Sequence, residues 1–426
     1  MMDLKGRYVG ILGYARSGRA LRDLLDRVGG RYFISDVRSV EGAHERGENT
    51  YRIMGTDIIS PSPGIPPHNR ILRRAEASSI PIISELELGW RYLSGKVIAI
   101  TGTNGKSTVA HFTHSLLKGS FVGGNWGVPV SSLAFREGIF VLEVSSFQLH
   151  YIRDFRPDVA VLTNVSPDHL DWHGSFQAYL FDKLRIFQNQ RRDDLAILNL
   201  DDPYFPIARG RARGDVMTVS LTSPKADYYS DGRTLFTPHG KAQVPPHLGS
   251  VPNLYNLLMA LAAASAVADG RDILESIGSL RPLPHRVEPV GEVDGVVFYD
   301  DSKGTNPGAT SMALRSFAGK VILIMGGDDK GLDLSVLEDV LGEKAAVVIA
   351  MGRNRYDIER MFSHVVPVIV AEGMGDAVRR AFSEAKRRGL PVLLSPACAS
   401  FDMFKNYAHR SRVFREEVEK LRRRTS

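Results

Sequence analysis

The segment Thr101-Gly102-Thr103-Asn104-Gly105-Lys106-Ser107-Thr108 follows an apolar, strand-like run and precedes a helical one. Glycines at 102 and 105 let backbone N–H groups approach phosphate oxygens, and the start of the following helix adds a favourable dipole. Lys106 would neutralise the outer phosphates and the Ser107 hydroxyl would ligate Mg2+. The match is to the short form of a phosphate loop, because Ile100 stands where the long form has glycine. The plain alternative, a glycine turn capping a helix, leaves Lys106 without a task. The expected ligand is a nucleoside triphosphate with magnesium.

Three further positions offer chemistry. Glu143 lies near the C-terminal end of the run Phe140–Val144, and the end of a parallel strand is a common place for ligand residues. A carboxylate there holds Mg2+ directly or through water, or is a surface glutamate. Asp168-His169-Leu170-Asp171-Trp172-His173 reads as a metal cluster, an acid/base group, or a polar helix start capped by aspartate. Zinc-protease spacing is absent. Lys183 lies beside an apolar stripe at 180, 181, 184 and 187, where a lysine would ordinarily snorkel to solvent.

These residues need strands that end at a common edge. The order strand, glycine turn, helix recurs along the chain and predicts α/β architecture with mainly parallel sheets. A first block covers 8–94, with strands at Tyr8–Leu12, Tyr32–Ser35 and Asp57–Ile59. The prolines from Ser60 to Pro67 predict a rigid loop after the last of these. A second block starts at Lys96, with a helix over Ser107–Lys118, another over Gln177–Gln188, a short β excursion between Asp227 and Pro246, and an alanine-rich helix over Asn253–Ala268. Arg281-Pro282-Leu283-Pro284 reads as a linker and the expected hinge. A third block alternates strands and helices and ends in a charged helix over Ser411–Arg424, whose Arg422-Arg423-Arg424 run complements the helix dipole.

The 426 residues are 43% hydrophobic and 24% charged, with Lys+Arg 54 against Asp+Glu 48. That excludes chain-wide disorder and fits anionic small substrates without arguing for nucleic acid. The single cysteine, Cys398, excludes an internal disulfide framework. No apolar run reaches membrane-spanning length and no signal-peptide pattern opens the chain, so a cytoplasmic protein is expected.

Six segments then occur together in order: TGTNGKST; Leu142-Glu143-Val144-Ser145-Ser146-Phe147-Gln148-Leu149; Asn164-Val165-Ser166-Pro167-Asp168-His169-Leu170-Asp171; His285-Arg286; Asp301-Ser302-Lys303-Gly304-Thr305-Asn306; and Ser395-Pro396-Ala397-Cys398-Ala399-Ser400-Phe401-Asp402 with Phe404-Lys405-Asn406-Tyr407. In this the chain resembles the Mur ligases, ATP-dependent enzymes of peptidoglycan precursor synthesis. The resemblance implies three α/β domains, each with a mainly parallel sheet flanked by helices: a Rossmann-like UDP-sugar domain over 1–94, a P-loop ATP domain over 95–283 and a Rossmann-like amino-acid domain over 284–426. It implies addition of D-glutamate to UDP-N-acetylmuramoyl-L-alanine through an acyl phosphate and a tetrahedral intermediate, by a cytoplasmic monomer without nucleic-acid or membrane partners.

The resemblance also implies residue roles. Lys106, His169 and Lys183 become catalytic. Gly102 to Thr108, Asn256, Arg286 and Asp301 become ATP contacts. Two magnesium ions are implied, with Ser107, Glu143, His169 and Lys183 around them, Lys183 carrying a carbamate derived from CO2. Only a neutral amine reacts with CO2, so partial burial suits that chemistry. Asp36, Arg38, Asn125 and Ser145 match UDP-sugar positions, and Thr305, Lys330, Ser400 and Tyr407 match positions around D-glutamate. Departures fall in the first block, where Asp36-Val37-Arg38 lacks a hydroxyl common in the family, and at Phe401 and Tyr407.

Overall fold

The computed structural model describes residues 3–425, with side chains through residue 423. Met1 and Met2 of the opening segment, and the Arg424 side chain of the basic run, lie outside the described residues. The strands form three sheets. The first holds β1 (Tyr8–Leu12), β2 (Arg31–Asp36), β3 (Glu45–Arg46) and β4 (Ile58–Pro61) in the order β3-β2-β1-β4, all parallel. The Ser60-Pro61 pair belongs to β4 and not to the expected loop. Edge position explains this: Pro61 pairs with Leu12 on one side only, and its missing N–H faces away from the ladder.

The second sheet contains β5 (Ser94–Thr101), β6 (Phe121–Gly124), β7 (Glu137–Glu143), β8 (Val159–Leu162), β9 (Leu195–Asn199), β10 (Asp215–Ser220), β11 (Tyr228–Ser230), β12 (Thr234–Thr237) and β13 (Gly240–Gln243). Their order is β13-β12-β11-β10-β9-β8-β5-β7-β6, parallel except for the β11–β12 and β12–β13 pairings. The runs Ile98–Ile100, Phe140–Leu142 and Ala160–Val161 are fully buried, as parallel strands covered on both faces require. The third sheet orders β14 (Glu288–Val293), β15 (Val296–Asp300), β16 (Val321–Met325), β17 (Ala345–Ala350), β18 (Val368–Val370) and β19 (Val392–Leu394) as β14-β15-β19-β16-β17-β18, with β14 antiparallel.

Helix ends follow their caps. The phosphate-loop helix runs Lys106–Leu116. Ser175 accepts from the N–H of Ala178, so the next expected helix begins at Phe176 and ends as α-helix at Leu184, with a 3-10 turn over Arg185–Phe187. Asn406 accepts from the N–H of His409, so the last helix starts at Tyr407 rather than Ser411.

The chain divides into two compact units. One comprises residues up to Val165, Trp172–Pro246 and Leu254–Leu280; the other comprises Ser166–Asp171, His247–Asn253 and everything from Arg281. The first two sheets therefore share a unit. The helix Glu85–Trp90 joins them through buried charge. The Glu87 carboxylate, fully buried, accepts from the N–H groups of Arg153 (3.0 Å), Asp154 (3.1 Å) and Phe155 (2.8 Å) and from the Arg91 guanidinium (2.5 Å). Glu85 accepts from the N–H of Ser131 at 2.6 Å, and burial raises its carboxyl above the ordinary range. Among the described residues no helix is long and apolar enough to cross a membrane.

Candidate active site

In the first unit, β5 delivers the phosphate loop. Gly105 caps the helix Lys106–Leu116 at φ 86°, and a Cβ there would collide with the Asn256 carboxamide. Gly102, at φ 142°, leaves the same kind of space to Thr163. These two positions therefore require glycine. The loop is braced from the end of β8: Thr103 N–H donates to the Asn164 carbonyl (2.8 Å), Asn104 N–H to the Asn164 side chain (3.0 Å), and Thr163 Oγ1 to the Asn104 carbonyl (2.6 Å). Lys106 Nζ donates to the carbonyls of Gly102 (2.9 Å) and Thr103 (2.8 Å), folded back over the loop that it would leave to reach a phosphate. Ser107 is half-buried, and the buried Thr108 hydroxyl has no hydrogen-bond partner.

Beside the loop, β7 pairs with β5 so that Glu143 stands opposite Ile100. Glu143 is 2% exposed, which removes the surface-glutamate reading. Its Oε1 accepts from Asn125 Nδ2 at 2.6 Å, whereas its buried Oε2 has no partner. A buried carboxylate oxygen left unbonded next to a phosphate loop fits a hard cation. Ser145 caps the helix Ser146–His150 in a reciprocal box with Gln148. Lys183 does not snorkel: it is 1% exposed, its Nζ donates to the Gly102 carbonyl at 2.6 Å and lies 4.4 Å from the centre of the Tyr179 ring.

At the end of β2, Asp36 accepts from Arg38 through its N–H and guanidinium and from the N–H of Tyr14. Arg38 bonding holds its carboxyl down at about 2. With these donors in place Asp36 braces the Tyr14 turn and Arg38 instead of presenting an open acceptor. The Arg16 guanidinium donates to the Gly127 carbonyl and ties that turn to the loop carrying Asn125.

In the second unit, Asp168 is the hub of its segment. It accepts from Lys330 Nζ at 2.7 Å and Asn306 Nδ2 at 3.0 Å. Burial pushes its carboxyl up, but the charges of His169 and Lys330 outweigh that and hold it low. Lys330, at φ 56°, is thus drawn inward, its side chain 17% exposed. His169, at φ 53°, is two-fifths exposed. Asp301 follows β15, is buried and accepts from Ser395 Oγ at 2.7 Å. Burial lifts its carboxyl to about 7 against the Ser395 hydrogen bond and the charge of Arg286. Thr305 N–H donates to the Lys303 carbonyl, and Lys303 Nζ lies 4.0 Å from the centre of the Tyr407 ring. Ser400 is buried, its carbonyl accepting from Phe404. Of the expected ATP contacts, the loop and Asn256 fall in the first unit and Arg286 and Asp301 in the second.

The sequence reading missed His150 and Asp182, and the pairing of both with His173; the three are joined by hydrogen bonds across up to 32 residues. It also missed Arg410, buried and bound to the carbonyls of Cys398 and Ser302.

Residues 100–264 match the model of the Mur ligase middle domain and residues 285–398 that of the Mur ligase glutamate ligase domain. Over 99% of both chains it is 38% identical to a UDP-N-acetylmuramoylalanine–D-glutamate ligase of Koribacter versatilis. The chain belongs to the Mur ligase family. A second relative of that name, from Acidobacterium capsulatum, is 36% identical over 98% of this chain and 97% of its own. The fold also matches a pseudomurein peptide ligase from Methanothermus fervidus (TM-score 0.64, 17% identity, 97% of this chain and 100% of that one) and MurF from Acinetobacter baumannii (0.64, 15%, 97% and 91%). As a Mur ligase, the chain keeps its phosphate loop and Glu143 inside the matched middle domain.

Proposed function

We propose that this protein joins D-glutamate to UDP-N-acetylmuramoyl-L-alanine with conversion of ATP to ADP and phosphate. The observation that carries the reading is an intact phosphate loop in a chain that aligns end to end with ligases of that name. The acceptor carboxylate attacks the γ-phosphorus and ADP leaves. The amine of D-glutamate then attacks the acyl carbon, loses a proton, and phosphate departs from the tetrahedral intermediate. Little covalent work falls to the protein, so positioning and charge dominate.

Backbone N–H groups of 102–107 cradle the phosphates, and Lys106 turns from its carbonyl partners to neutralise them. Ser107 and Glu143 are read as magnesium ligands, and so is His169. Bound magnesium supplies positive charge to the phosphate oxygens. Lys183 is read as the amine that takes up CO2 as a carbamate; its burial against Gly102 supports this. Arg286 and Asp301 are assigned to ATP, Asn125, Ser145 and Arg38 to the sugar nucleotide, and Thr305, Lys330, Ser400 and Tyr407 to D-glutamate. The three sheets are read as three domains, 1–94, 95–283 and 284–426, of a cytoplasmic monomer. The test is phosphate release from ATP and Mg2+. It should require both UDP-N-acetylmuramoyl-L-alanine and D-glutamate; release supported equally by another nucleotide-peptide acceptor would sink the reading.

A further inference from the structure

Asp182 precedes Lys183 on the helix Phe176–Leu184 and is shared by two imidazoles. His150 Nδ1 lies 2.8 Å and His173 Nδ1 2.9 Å from its Oδ2. His173 Nε2 lies 3.0 Å from Ser146 Oγ. With Nδ1 donating to Asp182, Nε2 is left to accept, so Ser146 is the donor. The order serine, histidine, carboxylate is that of a nucleophilic relay. Here Ser146 is 2% exposed and the His173 side chain is fully buried, which keeps a substrate carbonyl away from the hydroxyl. The line holds; it does not react.

What it holds is informative. Ser146 opens the helix Ser146–His150, one residue after Ser145 and three after Glu143. At the other end, Asp182 shares its helix with Tyr179 and Lys183. Tyr179 hydroxyl meets Thr103 Oγ1 at 3.0 Å, and Lys183 reaches the Gly102 carbonyl. The His173 ring packs against Tyr179, with centroids 5.1 Å apart. One carboxylate thus links the segment after β7 to the helix that touches the phosphate loop twice.

We propose that Asp182 is a positioning residue, which through His173 and His150 fixes the start of the helix Ser146–His150 and the Lys183 helix in one arrangement against the phosphate loop. Its catalytic consequence rests on the reading given under Proposed function. Replacing the carboxylate leaves the buried His173 N–H and the part-buried His150 N–H underbonded, and for the buried one the penalty exceeds the loss of a packing contact.

Asp182→Asn tests this, because its amide N–H2 would confront an imidazole N–H. With ATP, Mg2+, UDP-N-acetylmuramoyl-L-alanine and D-glutamate, kcat should fall by about 30-fold or more while KM for ATP moves by less than about 3-fold. Asp182→Glu should recover part of the loss. Ser146→Ala alone should cost several-fold, and combining it with Asp182→Asn should cost no more than Asp182→Asn alone; multiplicative losses, or full kcat in Asp182→Asn, overturn the proposal. Amide exchange needs no turnover: residues 146–149 should exchange about 10-fold faster or more in Asp182→Asn, and unchanged exchange there also overturns it. Should wild type release no phosphate with these substrates, the functional reading fails while the exchange result still judges Asp182. If Asp182→Asn does not fold, His150→Gln replaces it with the same readouts.

Discussion

Burial lifts the Asp301 carboxyl to about 7, although the Ser395 hydroxyl and the Arg286 charge favour the ionised form. In the unfolded chain that carboxyl releases its proton near its ordinary 3.8. Between about pH 4 and 7 the folded chain therefore holds a proton that the unfolded chain has lost, and stability falls as pH rises through that window. Denaturant titrations at pH 5 and pH 7.5 should show wild type losing up to a few kcal/mol relative to Asp301→Asn over that step; equal pH dependence in both would remove Asp301 as the cause. Lys183 makes a sharper case. Lys183→Ala should reduce phosphate release by about 100-fold or more, and small carboxylate anions should restore part of it; full activity without added anion would count against a carbamate. Lys106, Glu143 and the two loop glycines were legible in the sequence because their types and spacing are the chemistry. His150 and Asp182 were not, nor was the part His173 plays with them, because that meaning lies in pairings across the fold that no local pattern encodes. Lys183 was legible only through the family resemblance: its own helix offers the same apolar stripe that a snorkelling lysine would use.

At the scale of elements, the phosphate loop depends on backbone freedom. Gly105→Ala would place a methyl group against Asn256 at a left-handed φ. Binding of a non-hydrolysable ATP analogue, measured by calorimetry, should weaken by about 10-fold or more, while the far-ultraviolet spectrum keeps its helix and strand content. Strands were legible where an apolar run is buried: β1 falls at the expected residues because its uninterrupted run leaves no other choice. Ends were less legible where a cap decides them. Ser175 and Asn406 set the starts of their helices, and Pro61 stays in β4 because the sheet stops there, a fact of strand order that proline content alone misreports.

Across the whole molecule, the expected boundary at 94/95 separates two sheets that share one unit. Glu87 shows why. Its carboxylate, itself shut off from water, binds three consecutive N–H groups and the buried Arg91 guanidinium. Glu87→Ala takes the acceptor from the N–H groups of Arg153, Asp154 and Phe155 and leaves the buried Arg91 guanidinium to Asp154 (2.6 Å), and should cost about 3 kcal/mol. Amide exchange should then show β1–β4 and β5–β9 opening together in wild type and β1–β4 opening first in the variant; separate opening already in wild type would refute the joint unit. The +6 charge suits a protein whose proposed substrates are all anionic.

The antiparallel hairpin β12–β13 closes the far margin of the central sheet, six strand positions from β5. At about 4.8 Å per position its turn stands roughly 29 Å from the phosphate loop along the sheet. A fluorophore placed on Pro238→Cys, the exposed residue of that turn, would ride far from the phosphate loop and leave His239 packed on Gly270, a handle for following the protein in a living cell.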